Sequence, residues 1–128
     1  MNRCLAAVVV YHPNWEELCG NIKSYPQGIE KIVVVANSPL DALQQGYLQE
    51  EGIYLIQNPD NRGVASALNQ AAHFGLNEGF DWLLTMDQDS RFGHTKSNAM
   101  PQAMHLAPTH TAAIGVESLK TPEPVPRF

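Results

Sequence analysis

Apolar runs and helix-like segments alternate along this chain. Four runs have the length and the β-branched content of buried strands, and they cover residues 5–10, 32–35, 53–56 and 80–87. The segments between them, residues 15–22, 38–52 and 64–78, carry apolar residues at helical spacing. Strict alternation of strand and helix predicts a mostly parallel sheet flanked by helices, with right-handed crossovers.

Two sequence signals mark where helices should begin. Asn14 can cap the first helix, and Glu17 stands three residues on, where it would complete a capping box. Ser38 followed by Pro39 predicts the start of the second helix, because it combines a capping hydroxyl with proline at the first helical position. The second helix should fade near Gly52.

Each predicted helix has one apolar face that should pack on the sheet. The inward residues are Trp15, Leu18, Cys19 and Ile22 in the first helix, Leu40, Leu43 and Tyr47 in the second, and Val64, Leu68, Ala71, Ala72 and Gly75 in the third. Small residues dominate the third face, so we expect that helix to pack closely on the sheet.

The pattern weakens after residue 90. Residues 96–106 fit a helix that Pro101 interrupts, and residues 112–116 fit a fifth strand. Residues 117–128 have proline at alternate positions, which is typical of an extended or disordered tail. The sequence therefore predicts one α/β domain over residues 1–116 and a proline-rich tail over residues 117–128.

Net charge and cysteine content limit the kinds of partner and the cellular compartment that the sequence supports. The 128 residues carry a net charge of −5, and the eight Lys and Arg are scattered, which argues against a nucleic-acid partner. Cys4 and Cys19 are too few for a disulfide scaffold and too isolated for a zinc site. No stretch approaches the roughly 20 apolar residues of a membrane span. These features favour a reduced cytoplasmic compartment, either in solution or peripherally at the inner face of a membrane.

Two carboxylates end the fourth apolar run. Asp87 and Asp89 are two residues apart, and side chains at that spacing on an extended segment point the same way, so they can converge on one cation. Mg²⁺ and Mn²⁺ prefer one or two carboxylates together with phosphate oxygens. The pair predicts a phosphorylated ligand held through a metal, although solvated loop carboxylates have the same pattern.

Other protein classes also use Asp-x-Asp. A calcium loop of the EF-hand type needs an oxygen ligand where Arg91 stands and a glycine where Phe92 stands, so it does not fit. A phosphatase of the haloacid dehalogenase type would have Thr or Val at Arg91, with the motif after its first strand. The third interpretation is a sugar-nucleotide transferase, and the upstream sequence favours it.

A polar turn precedes the third predicted helix. Asn61, Arg62 and Gly63 lie just before the N-terminus of that helix, which is a natural anion site. Arg62 could donate charge-assisted hydrogen bonds to a diphosphate, or it could pair weakly with Asp60 at the surface. Asn69 lies two turns into the helix among alanines, where its amide needs a hydrogen-bonding partner.

Four segments in this order resemble the inverting family 2 glycosyltransferases, and most closely their bacterial rhamnosyltransferase-like branch. The segments are VVVYHP at 8–13, VVVANS at 33–38, NPDNRGVASALNQA at 58–71 and LTMDQDS at 84–90. The resemblance covers residues 4 to 92 and is weak beyond them.

The resemblance implies a GT-A fold, a Rossmann-like mostly parallel sheet flanked by helices that here extends little beyond the Asp-x-Asp region. It implies a metal-assisted transfer of rhamnose or a similar deoxyhexose from a nucleoside-diphosphate donor, with dTDP-rhamnose favoured and Mg²⁺ or Mn²⁺ as cofactor. The implied acceptor is a glycan or a lipid-linked acceptor of a cell-surface polysaccharide.

The resemblance also assigns site residues. Tyr11 and Pro13 would line the base pocket, Asp89 would hold the metal, and Asp87 would contact the ribose or the metal. The implied nucleotide-sugar site comprises Tyr11, Pro13, Asn37, Asn61, Arg62, Gly63, Asn69 and Asp87.

The chain departs from the family pattern at two points. Relatives have an aspartate that recognises the base where this chain has Ala36, so that contact is lost or taken over by Asn37. Relatives also continue into an acceptor-binding half that supplies the catalytic base. Beyond Ser90 the only carboxylates are Glu117 and Glu123, and neither has a convincing context.

Two hypotheses of different classes follow. The chain is a glycosyltransferase or its donor-binding part, or it is a truncated, non-catalytic module that binds nucleotide sugars. A positioned catalytic base would separate the two. A half-domain of this fold would leave a sheet edge and apolar surface uncovered, which is compatible with a homo-oligomer.

Overall fold

The computed structural model describes residues 3–89 and the backbone of a strand at residues 113–118. Its elements in chain order are β1 (Cys4–Val10), α1 (Trp15–Lys23), β2 (Lys31–Ala36), α2 (Ala42–Glu50), β3 (Tyr54–Gln57), α3 (Val64–Asn77), β4 (Trp82–Asp87) and β5 (Ala113–Ser118). The four predicted strands, three helices and the fifth strand are confirmed. The helix predicted at 96–106 and residues 119–128 of the predicted tail lie outside the described residues. β5 itself runs past the predicted domain boundary at residue 116.

The strands form one sheet in the order β3-β2-β1-β4-β5. β1 to β4 run parallel, and β5 pairs antiparallel with β4, so the predicted mostly parallel sheet is confirmed. The chain builds outward from β1 through β2 to β3 and then returns to the other side of β1. The strand order therefore reverses between β1 and β4.

Apolar residues are buried on both faces of the sheet. Alternate β1 residues such as Ala6 and Val8 belong to a cluster that includes Leu18 of α1 and Leu48 of α2. Leu5 and its alternate neighbours pack with alanines of α3 on the other face. Burial on both faces explains why these strands read as continuous apolar runs instead of alternating ones.

Cys4 is part of the first of these clusters. Its side chain has no exposure, and burial raises the pKa of the thiol to about 12. A thiol held in the protonated form is unreactive. Cys4 therefore acts as a small buried apolar residue of the core.

The first helix begins where the sequence predicts. The Asn14 side chain accepts a hydrogen bond of 3.0 Å from the backbone N–H of Glu17. Leu18 and Ile22 face the core, and Trp15 packs at its margin.

The second helix begins later than predicted. Its N-cap is Asp41, which forms a capping box with Gln44, so the predicted start at Ser38 is wrong. Leu43 is 86% exposed, whereas Leu48 is fully buried. The predicted inward position of Leu43 is therefore wrong as well. The Ser38 hydroxyl serves another purpose, described below.

The third helix packs on the sheet through Ala67, Ala71 and Gly75, all buried. Val64 was expected on this face but is 61% exposed. The reason is its place in the first turn, because α3 follows β3 and so starts at the open carboxyl edge of the sheet. The close packing expected from small residues is confirmed for the later turns.

Arg3 ties the amino-terminal edge of the sheet together. Its guanidinium donates to the Glu30 carboxylate at 2.7 Å and to the Glu78 carbonyl at 2.8 Å. The same group lies 4.4 Å from the centroid of the Phe80 ring. One side chain therefore joins the segments that precede β2 and β4, at the opposite edge from the candidate site.

This ion pair predicts a pH dependence of stability. The hydrogen bond from Arg3 lowers the pKa of Glu30 below its ordinary value of 4.5. A depressed folded-state pKa stabilises the protein above that ordinary value, and the contribution is lost as pH falls through the lower folded-state pKa. We expect Glu30→Gln to lower the melting temperature at pH 7 and to match the wild type near pH 3.

Thermal unfolding of both proteins between pH 3 and pH 7 tests this expectation. Glu50→Gln, on the exposed end of α2, is the matched control and should show no such convergence. A constant difference between Glu30→Gln and the wild type at every pH would contradict it.

Candidate functional site

The carboxyl ends of β1 to β4 meet at one edge of the sheet, since these strands are parallel. The strand order reverses between β1 and β4, and ligands of open α/β sheets bind in the crevice at such a reversal. The loops after β1 and β4 border this crevice. They contain Tyr11 to Pro13 on one side and Asp87 to Asp89 on the other.

The loop after β1 presents an aromatic pair. The Tyr11 ring is 50% exposed and meets the His12 ring edge-on, with 4.4 Å between centroids. His12 has a φ of +45°, a left-handed conformation that residues other than glycine seldom adopt and that must be held by its surroundings. Pro13 is half-buried beside the pair.

Two side chains from neighbouring strand ends hold this loop. The Tyr11 N–H donates to Gln88 Oε1 at 2.7 Å, and the His12 N–H donates to Ser38 Oγ at 2.7 Å. The hydroxyl of Ser38 therefore fixes the β1 loop instead of capping α2. Tyr11 and Pro13 therefore lie in a loop that side chains from two other strand ends hold in place.

The acidic pair straddles the end of β4. Asp87 is the last strand residue, whereas Gln88 and Asp89 form a turn, so the extended geometry from which we predicted two parallel side chains stops before Asp89. Both aspartates are exposed. Burial, followed by the negative charge of Asp87, raises the pKa of Tyr25.

The residues at the acidic pair fit a hard divalent cation. Within residues 3–89, no group of three or more His, Cys, Asp or Glu side chains forms a closed metal cage. Mg²⁺ is commonly held by only one or two carboxylates, with water and substrate phosphates completing its shell. Two exposed carboxylates beside a crevice match that donor set.

The end of β2 carries no exposed polar group for a base. Ala36 is fully buried, and Asn37 is 3% exposed. Asn37 donates from Nδ2 to the Gly63 carbonyl at 3.2 Å and accepts from Asn58 Nδ2 at 2.8 Å. Because both its polar atoms have protein partners, the structure gives Asn37 a positioning role and not the base contact suggested by the sequence.

A pair of amides joins β3 to α3. Asn58 and Gln70 exchange two hydrogen bonds, each of 2.9 Å. Together with Asn37, this pair holds the carbonyl of Gly63, the residue that caps α3. The network fixes the N-terminus of α3 relative to the ends of β2 and β3.

The turn before α3 is exposed at the same edge. Asn61 Oδ1 accepts from the Gly63 N–H at 2.9 Å, and Gly63 has a φ of +84° that favours glycine. Arg62 Nε lies 3.6 Å from Asp60 Oδ1, with both side chains exposed, which matches the surface ion pair considered above. Such pairs contribute about 0–1 kcal/mol, so a diphosphate could displace Asp60.

Asn69 is exposed on α3, while its neighbour Gln70 makes the contacts with Asn58. The structure thus places Tyr11 and Pro13 on one side of the crevice, Asp87 and Asp89 on the other, and the turn at residues 61–63 at the same end of the sheet.

The described residues do not offer Glu117 as a base near this edge. In the β4–β5 register Glu117 lies opposite Leu83. Asp87 is four residues further along β4, a rise of about 13 Å. This position agrees with our interpretation that Glu117 lacks a catalytic context.

Sequence reasoning missed the residues that hold the site. Gln88, Ser38, Asn58 and Gln70 bond across strand ends, with separations of up to 77 residues along the chain. All four lie within the segments that carry the family resemblance, but nothing in the local sequence indicates which distant groups they bond. Asn21 of α1, buried at 2% exposure, was missed for the same reason.

Comparisons with known proteins show the fold. No family model and no curated protein sequence matches the chain. A crystal structure of GalNAc-T7 with UDP, GalNAc and Mn²⁺ is similar, with a TM-score of 0.60 and 15% identity, covering 77% of this chain and 19% of that one. Residues 1–349 of S. aureus TarS give a TM-score of 0.59 and 17% identity, covering 80% of this chain and 31% of that one.

A third similar structure is 4-diphosphocytidyl-2C-methyl-D-erythritol synthase, with a TM-score of 0.51 and 16% identity over 68% of this chain and 46% of that one. At these identities the likeness establishes the fold alone. The chain has the Rossmann-like α/β fold of GT-A glycosyltransferases, and it spans less than half the length of each of these structures.

Among residues 3–89, no helix is long and apolar enough to cross a membrane.

Proposed function

We propose that this chain binds the nucleoside-diphosphate sugar donor of a glycosyltransferase. The observation that carries the proposal is the joint position of three features at the carboxyl ends of the parallel strands. These are the exposed Tyr11 ring, the acidic pair after β4 and the N-terminus of α3 with its turn at residues 61–63. Each feature matches one part of such a donor: the base, the metal-bound diphosphate and the phosphate charge.

Each group has a distinct task in this proposal. The half-exposed Tyr11 ring offers a face for stacking on the base, and Pro13 borders it. The unpaired N–H groups at the start of α3 and the Arg62 guanidinium face the diphosphate charge. Asp87 and Asp89 would hold Mg²⁺ or Mn²⁺, which when bound neutralises charge on the departing nucleoside diphosphate.

The finer identity of the donor belongs to the same proposal. The sequence resemblance to rhamnosyltransferase-like enzymes supports dTDP-rhamnose or a related deoxyhexose donor, and a glycan or lipid-linked acceptor. GalNAc-T7 and TarS structures contain UDP, which supports a pyrimidine nucleotide. Ala36 removes the aspartate that relatives place at the base, so base selection rests on the groups around Tyr11.

A thermal-shift titration tests the proposal. The protein is titrated with UDP, dTDP and GDP and with their sugars, each with and without Mn²⁺. A ligand at about 100 times its dissociation constant adds about 2.7 kcal/mol of stability, which is readily measured for a small domain. We expect a metal-dependent rise in melting temperature with one nucleotide. No rise with any of them would contradict the proposal.

Release of the nucleoside diphosphate from the preferred sugar donor, measured separately, distinguishes the two hypotheses of function. Turnover in the presence of acceptor supports an enzyme. Binding without turnover supports a non-catalytic module that binds nucleotide sugars.

We expect Arg62→Ala to weaken nucleoside-diphosphate binding about tenfold, since a charge-assisted hydrogen bond contributes about 1.5–3 kcal/mol and Arg62 must first leave Asp60. The dependence on Mn²⁺ should persist. Calorimetric titration with UDP or dTDP measures the change, and the corresponding nucleoside, which lacks the diphosphate, should bind both proteins equally.

Asp60→Ala is the informative companion to this variant. It frees Arg62 from its surface pair, so diphosphate affinity should be unchanged or slightly higher. Equal affinity of Arg62→Ala and wild type would return Arg62 to the role of a surface residue.

A further inference from the structure

The Gln88 side chain crosses the crevice at the strand-order reversal. Its Oε1 accepts from the Tyr11 N–H at 2.7 Å, and its Nε2 donates to the Tyr11 carbonyl at 3.3 Å. One amide therefore satisfies both backbone groups of the residue that follows β1.

These side-chain hydrogen bonds continue the connection between β1 and β4 where the backbone pairing of the two strands ends. The last paired residues of β1 and β4 are Val9 and Asp87. Beyond them the two chains separate, and Gln88 maintains the connection with its side chain. The backbone of Gln88 is held as well, because its carbonyl accepts from Nδ2 of the buried Asn21 at 3.0 Å.

Gln88 also stands between the two acidic residues. Any movement of its backbone must displace Asp87 on one side and Asp89 on the other. Any movement of its side chain releases both backbone groups of Tyr11. Sites that lose about 1 Å of precision because a supporting residue is absent lose much of their function.

We propose that Gln88 is a positioning residue that couples the two halves of the donor site, holding the Tyr11 end of β1 and the acidic end of β4 in one relative placement. This inference rests on the proposed function. It adds that Gln88 connects the metal-binding half of the site to the nucleotide-binding half. Removing its hydrogen bonds should therefore lower the affinity for metal and the affinity for nucleotide.

Two variants with a matched control test the positioning role of Gln88. Gln88→Met keeps the length of the side chain and removes both polar atoms. Gln88→Glu keeps the acceptor for the Tyr11 N–H and loses the donor. Gln49→Met, on the exposed surface of α2, is the control for introducing methionine. Each protein is titrated with Mn²⁺ alone, followed by electron paramagnetic resonance, and with UDP or dTDP at saturating Mn²⁺, followed by calorimetry.

We expect Gln88→Met to weaken Mn²⁺ binding and nucleotide binding at saturating Mn²⁺ each about tenfold, at a temperature where the protein is fully folded. Gln88→Glu retains the shorter bond to the Tyr11 N–H but sets its second oxygen against the Tyr11 carbonyl, so it should recover only part of the nucleotide affinity. A residue needed only for stability would lower the melting temperature without changing either affinity.

The outcomes separate the two proposals. Wild-type protein that binds no nucleotide and no Mn²⁺ overturns the proposed function and this inference with it. Wild-type protein that binds both, with a Gln88→Met variant whose two affinities stay within about twofold, overturns the inference alone. If Gln88→Met loses affinity for Mn²⁺ alone or for nucleotide alone, the inference is also overturned, since a residue that positions both halves of the site must affect both.

Discussion

Replacing Asp89 with alanine is expected to abolish metal-dependent nucleotide binding while the fold stays intact. Asp89 is exposed in the turn after β4, so its removal leaves no cavity and no buried partner. Asp87 alone would then face the cation. Since even indirect supports of metal ligands are worth about 10–100-fold in affinity, loss of a ligand should cost Mn²⁺ affinity at least about 100-fold.

Calorimetric titration with Mn²⁺, and with UDP or dTDP in the presence of Mn²⁺, measures this effect. Asp60→Ala removes another exposed aspartate from the same edge of the sheet and is the matched control. Its metal affinity should equal that of the wild type. Metal-dependent binding that survives in Asp89→Ala would rule out a metal-binding role for that carboxylate.

Asn58→Asp should destabilise the protein by about 3 kcal/mol at pH 7, through hydrogen bonding alone. The two side chains have the same shape, so no packing changes. Asn58 Nδ2 donates to Asn37 Oδ1 at 2.8 Å and to Gln70 Oε1 at 2.9 Å, and a carboxylate would set a buried charge against both acceptors.

The expected loss has a pH dependence of known sign. Burial and two facing acceptors would raise the folded-state pKa of the introduced carboxyl above its ordinary value of about 3.9. The variant should therefore approach wild-type stability near pH 3 and lose it as pH rises. Chemical denaturation of both proteins at several pH values measures the difference.

Asn69→Asp introduces the same change on the exposed surface of α3 and should alter stability by less than about 0.5 kcal/mol. Equal stability of Asn58→Asp and wild type at pH 7 would show that the amide network does not hold the ends of β2, β3 and α3 together.

The candidate site was predictable where one residue type carries the chemistry. Asp87 ends a buried strand and Asp89 follows it in the turn, so the sequence alone places both at the carboxyl ends of the parallel strands. Arg62 and Gly63 precede a helix, where local rules of anion binding apply. The amides that position these groups were not predictable. Gln88, Ser38 and Asn58 resemble many surface residues until their partners on distant strands are known.

The starts of the helices also show which features the local sequence decides and which the tertiary structure decides. Asn14 caps α1 as predicted, because no competing partner lies nearby. Ser38 has an equally good local signal, yet its hydroxyl bonds the His12 N–H and Asp41 caps α2 instead. The Ser38 hydroxyl thus makes a tertiary hydrogen bond in place of the predicted local cap.

The amino-acid sequence by itself determined the order and type of the elements, their burial on both faces of the sheet, and the chemistry available at the strand ends. Those properties depend on periodicity, length and local capping, which act within a few residues. Only the tertiary structure decided that β4 returns beside β1, that the crevice opens between them, and that Gln88 spans it. These depend on which strands become neighbours, and that choice is made by packing among residues far apart in the chain.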